Sequence, residues 1–93
     1  MALESGSVWV FVGEGGRWPS AVFRARDAGE RWIGDNGLTG LLTEYPLDVG
    51  VYDWAVAQGV FRPSKPGHTS PTFIAGFTTA RQDHAHFTDG VGD

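Results

Sequence analysis

Five residues, Val8-Trp9-Val10-Phe11-Val12, constrain the fold more than any other stretch of this chain. A β-branched and aromatic run this short, stopped by Gly13, predicts a strand buried on both faces, and we read it as the first and central strand. Gly13-Glu14-Gly15-Gly16 supplies residues that tolerate the positive φ angles of a reversal. Ser20-Ala21-Val22-Phe23 then predicts a second strand, so the two form a hairpin. Pro19 has no amide proton to give to a ladder, which puts the second strand at an edge.

From Ala25 the apolar period becomes helical. Ala25, Ala28, Trp32 and Ile33 fall on one face, and Arg26, Asp27, Glu30 and Arg31 on the other. This predicts a helix ending near Asn36-Gly37, with Gly29 on its inner face. The missing side chain there costs about 1 kcal/mol of propensity but lets the helix approach the sheet. Leu38 to Tyr45 predicts a third strand closed by Pro46. A second helix is expected to run from Asp48, as N-cap, to Gly59, with Leu47 stapled on Tyr52. Pro63-Ser64-Lys65-Pro66-Gly67 reads as a loop, and Ser70-Pro71 opens a short third helix in which Phe73, Ile74 and Phe77 share a face. Asp83, Ala85 and Phe87 alternate with Gln82, His84 and His86 in a final strand.

The order β-β-α-β-α-α-β predicts an α+β fold, a small antiparallel sheet with its helices packed on one face. A right-handed crossover through the first helix sets the third strand beside the first, in the order 2-1-3, with the fourth strand extending an edge. A chain of 93 residues is too short to divide into two cores, so residues 1–93 are expected to form a single domain, frayed over residues 1–7 and 90–93.

Composition narrows function mainly by exclusion. With no cysteine, thiolate metal sites, thiol nucleophiles and disulfides are ruled out. Eleven acidic residues against seven basic ones give a net charge of −4, which does not attract phosphate backbones, so no nucleic-acid partner is expected. The start of the chain lacks a basic and apolar leader, and no apolar run reaches the ~20 residues of a membrane span; these point to the cytoplasm and away from membranes.

His84-Ala85-His86 is the most chemical feature, because alternate residues on a strand share a face and two imidazoles so placed can chelate a metal. A third ligand would have to come from His68 or a carboxylate such as Asp83, Asp89, Glu44 or Asp53, so the sequence favours a plain polar strand face and no cofactor. The glycine run at 13–16 lacks the Lys-Ser or Lys-Thr of a phosphate-binding loop and reads as a turn. Tyr52-Asp53-Trp54 lies on a helix, where three successive residues cannot all face inward. With Tyr52 packed inward, Asp53 and Trp54 are the pair to expose, and an exposed Trp54 would anchor an interface; the alternative is that it fills a gap beside Phe61. Trp18, near the hairpin tip, is expected to cap the sheet, with stacking on a ligand as the alternative. No serine sits in a nucleophile elbow, and no catalytic residue is nominated.

The segments Thr43-Glu44-Tyr45-Pro46-Leu47-Asp48 and Gly50-Val51-Tyr52-Asp53-Trp54-Ala55, together with Val8-Trp9-Val10-Phe11 and the closing His84-Ala85-His86, resemble an uncharacterised family of short single-domain bacterial proteins. The resemblance implies no activity, cofactor or active site. The chain departs from that pattern at Arg24-Ala25, a poor helix cap, and at Gly29. Beside it stand two expectations. The first is a non-enzymatic protein-binding module, immunity-like or regulatory, with a protein partner or self-association, for which Trp18, Tyr52, Asp53, Trp54, His84 and His86 are the candidate binding residues. The second is a small-molecule- or metal-binding enzyme using His84 and His86, with Tyr52 and Asp53 nearby.

Overall fold

A computed structural model describes residues 6–93. It contains β1 (Ser7–Gly13), β2 (Ala21–Phe23), α1 (Arg26–Asn36), β3 (Gly40–Pro46), α2 (Val51–Ala57), a 3-10 turn at Pro66–Thr69, α3 (Pro71–Ala75), β4 (His84–Thr88) and β5 (Val91–Gly92). The strands form one antiparallel sheet in the order β2-β1-β3-β4-β5. The hairpin, the edge position of β2 and the crossover that sets β3 beside β1 are as expected. No helix among the described residues is long and apolar enough to cross a membrane.

Register fixes which side chains share a face. Trp9 pairs with Phe23 and Glu44, Phe11 with Ala21 and Leu42, and Leu42 with Ala85. Trp9, Phe11, Leu42, Ala85 and Phe87 are buried together with Ile33 of α1, and Trp32 meets Phe11 edge-on and Phe23 at a tilt, each at 5.7 Å between ring centroids. Burying a side chain such as Leu42 or Ile33 contributes about 1.5–3 kcal/mol each. The approach is set by Gly29, which is buried: a Cβ there would lie 3.1 Å from both Leu42 δ-carbons and from Phe23 Cδ2. Gly37, with φ 62°, then ends the helix in the left-handed conformation that glycine adopts without strain.

Several expectations are corrected. β1 is not buried on both faces, since Val8, Val10 and Val12 are only half-buried, and β3 rather than β1 is the middle strand of the sheet. The second helix begins at Val51, with Gly50 as its N-cap. Asp48 has φ 61°, a left-handed geometry in which it cannot cap a helix, because an N-cap needs an extended backbone. The expected order lacked a strand and a turn: the Pro66–Thr69 segment coils, and Asp89 and Gly90, at φ 51° and 87°, turn the chain so that Val91 and Gly92 pair with Thr88 and Phe87. Within the stretches expected to fray, Val91 and Gly92 are paired in β5 and Ser7 is paired in β1; residues 1–5 lie outside the described residues.

The helices divide between two clusters instead of sharing one layer. α2, the 3-10 turn and α3 gather a separate aromatic group in which Tyr52 meets Phe61, Phe73 and Phe77 at centroid distances of 5.8, 6.2 and 5.5 Å. Ser70 caps α3 as expected, its hydroxyl accepting from the Phe73 amide at 3.2 Å, while Ile74 turns outward at 40% exposure.

Gly29→Ala should lower stability by about 1 kcal/mol, since fully buried Leu42 cannot yield and overpacking outweighs the helix propensity gained. Gly34→Ala, whose Cβ would meet nothing closer than the Gly90 carbonyl oxygen at 3.7 Å, should raise it by about 0.5–1 kcal/mol. Urea denaturation of the two variants reads both signs.

Candidate functional site

Alternation that sends Trp9, Phe11, Leu42 and Ala85 toward α1 sends their neighbours the other way. On that second face Val10 lies between Val22 and Thr43, and Thr43 lies beside His84, so the surface runs unbroken across four strands. Val8, Val12, Leu41 and Tyr45 complete it on β1 and β3. None of these residues is buried, and Val22 is 61% exposed.

His84 and His86 close this face on β4, both exposed, their rings meeting edge to face with centroids 5.3 Å apart. His84 Nδ1 lies 2.8 Å from the Gln82 carbonyl oxygen. A carbonyl can only accept, so the neutral ring carries its proton on Nδ1 and its lone pair on Nε2. Gln82 is itself held in place and only 3% exposed: its Nε2 donates to the Glu44 carbonyl at 3.0 Å, and its Oε1 accepts from the Thr79 amide at 3.3 Å. A cleft of about 190 Å³ opens beside the two imidazoles, between Thr43 and Tyr45 of β3 and the segment Thr78-Thr79-Ala80. A broader, shallower groove of about 460 Å³ passes from His86 toward Gly13 and Thr39.

Of the six candidate residues, only His84 and His86 come together. Tyr52 is buried in the aromatic cluster and Asp53 is exposed on α2; neither lines the cleft beside the histidines, so the expected convergence does not occur. Trp54 is 8% exposed and cannot anchor an interface from the surface of α2. Its Nε1 is buried with no acceptor among the described residues. Trp18 is 74% exposed, with the Arg17 guanidinium 5.7 Å from its ring centroid, and so does not cap the sheet. His68 is committed elsewhere: its Nδ1 accepts from the Ser64 and Lys65 amides at 3.1 and 3.3 Å, and its ring stacks on Phe73. Glu44 takes the Ser7 hydroxyl, and its pairing with Trp9 puts it on the face toward α1. Among the described residues no group of three or more His, Cys, Asp or Glu is arranged to hold a metal.

The sequence reading missed two residues of this region. Tyr45 joins the histidine face through the β3–β4 register, which no local pattern encodes. Gln82, read as part of the last strand, sits two residues before β4 and turns inward to bind backbone.

Residues 8–93 match a family described as Domain of unknown function (DUF7710). No curated protein and no solved structure matches the chain.

Trp54→Ala should cost about 3–5 kcal/mol, the loss expected for a buried indole. Trp54→Phe should cost far less, because it also removes a buried N–H whose desolvation is uncompensated, worth about 1–3 kcal/mol. Thermal unfolding of both variants checks this; equal losses would show that the N–H does have a partner.

Proposed function

We propose that this chain, which belongs to the DUF7710 family of domains of unknown function, is a non-enzymatic protein-binding module that docks through the sheet face opposite α1. One observation carries the reading: on the side of α1 the strand residues Trp9, Phe11, Leu42, Ala85 and Phe87 are buried, and on the other side none is. An antiparallel sheet can leave one face to water, but the outward positions are then commonly polar. Here Val8, Val10, Val12, Val22, Leu41 and Tyr45 hold most of them.

The occupant we assign is a second copy of the chain. The β1, β3 and β4 positions on this face carry no charged residue, although the chain holds 11 acidic residues and a net charge of −4. The net charge of −4 makes copies repel overall, this patch adds no charge to that repulsion, and an uncharged patch containing Tyr and aliphatic residues has the make-up of an interface core. A twofold contact sets the same patch on both sides, as a self-complementary interface requires. With strands about 4.8 Å apart and residues about 3.3 Å apart, the patch projects over roughly 350 Å². That is less than the ~800 Å² per partner of a standard interface, so the association is weak and reversible, which suits a regulatory role. A chain without cysteine fits a reducing compartment, and the cytoplasm is its proposed setting.

Sedimentation velocity from about 10 μM to about 1 mM, the range of weak complexes, should show a monomer passing into a dimer. Val22→Lys, on an exposed edge strand, should change stability by no more than about 0.5 kcal/mol and shift the dimer to higher concentration at least tenfold. A monomer throughout the range, or a dimer indifferent to Val22→Lys and to Val10→Lys, would overturn the proposal.

A further inference from the structure

The two imidazoles on β4 satisfy more of the conditions for a metal chelate than their spacing in sequence suggests. We propose that His84 and His86 form a bidentate site for a divalent late first-row cation, copper, nickel or zinc, bound through imidazole nitrogen with the remaining positions open to water or an incoming donor.

Three observations support it. Two imidazoles on one ion, at metal–nitrogen distances of about 2.0–2.1 Å and angles of about 90–109°, have ring centroids roughly 4.5–5.2 Å apart. The observed 5.3 Å lies just outside that range, and a small rotation of His86 against the held His84 ring reaches it. His84 donates from Nδ1 to the Gln82 carbonyl at 2.8 Å, which leaves Nε2 as the ligand nitrogen and fixes the ring plane. A backbone carbonyl behind a ligating histidine is the usual way such a ring is oriented. Finally, that carbonyl belongs to a residue whose side chain is buried and bonded to the Glu44 carbonyl and the Thr79 amide, so the orienting group is fixed before any metal arrives.

His68 and Glu44 are each held by other partners, and among the described residues no third His, Asp or Glu joins the pair, so these residues supply two ligands. A site with two protein ligands and open positions binds more weakly than a closed structural one. Without thiolates or a cage of carboxylates, imidazole selects against magnesium and calcium, and affinity follows copper above nickel and zinc. The cleft beside the rings, lined by Thr43, Tyr45 and Thr79, is where an additional oxygen donor would enter. This site shares a face with the self-association proposed above but needs only β4 and the Gln82 bend of one chain, so it forms without the dimer.

The test is calorimetric titration of tag-free protein with Cu²⁺, Ni²⁺ and Zn²⁺, repeated on His84→Ala, His86→Ala and, as a control, His68→Ala. One ion per chain should bind with copper tightest. Either β4 substitution should weaken nickel binding at least about tenfold, since a chelate becomes a single contact, while His68→Ala leaves it unchanged. The same titration on Val22→Lys should give wild-type affinity, which separates this site from the dimer. No saturable binding, or binding that survives loss of either β4 histidine, would overturn the proposal and leave the pair as an aromatic contact alone.

Discussion

The close approach of α1 to the sheet at Gly29 is the contact on which the rest of this structure depends. Ile33 and Leu42 are both fully buried, and the helix lies near enough to the strands that a methyl group at position 29 would press on Leu42 and Phe23. A small chain has little apolar surface to spend, and here most of it is gathered on one side of one sheet. The consequence is an uneven molecule: one face carries a close-packed core, the opposite face is left half-exposed with Thr78-Thr79-Ala80 along one part of it, and a second aromatic cluster forms around Tyr52.

That unevenness explains where function can reside. Side chains in the core are fixed by packing and cannot meet a partner, whereas the second face offers aliphatic groups and Tyr45 on a rigid scaffold, bordered by His84 and His86. The strand geometry that buries Ala85 also turns the flanking histidines outward together, so the core and the proposed metal pair are two results of one alternation. The two proposed roles therefore use the same face but different physics. Self-association rests on uncharged apolar surface, and metal binding on nitrogen lone pairs held in a fixed direction.

Much of this was legible in the sequence where a signal is local. The glycine-rich hairpin, the helical period from Ala28 to Ile33, the Gly29 approach, the Gly37 stop and the Ser70 cap each follow from a few neighbouring residues. Other features failed for identifiable reasons. Asp48 looks like a cap until its backbone is known to be left-handed. Asp89-Gly90 is a two-residue pair suited to a tight hairpin, but only two residues of strand follow it, too few to show a period in the sequence. The exposure of Val8, Val10 and Val12 could not be read from a β-branched and aromatic run, since such a run looks alike whether one face or both are covered. Trp54 and Tyr45 depend on register and on packing between distant segments, which no short motif records.

The central claim, that the face opposite α1 is a docking surface, is tested most directly by methyl and aromatic NMR spectra recorded across a dilution series. The account predicts concentration-dependent shifts confined to Val8, Val10, Val12, Val22, Leu41 and Tyr45, with the methyl signals of Ile33 and Leu42 unmoved. Shifts centred instead on the exposed Val56 of α2 and Ile74 of α3, or spectra unchanged over the whole series, would contradict it.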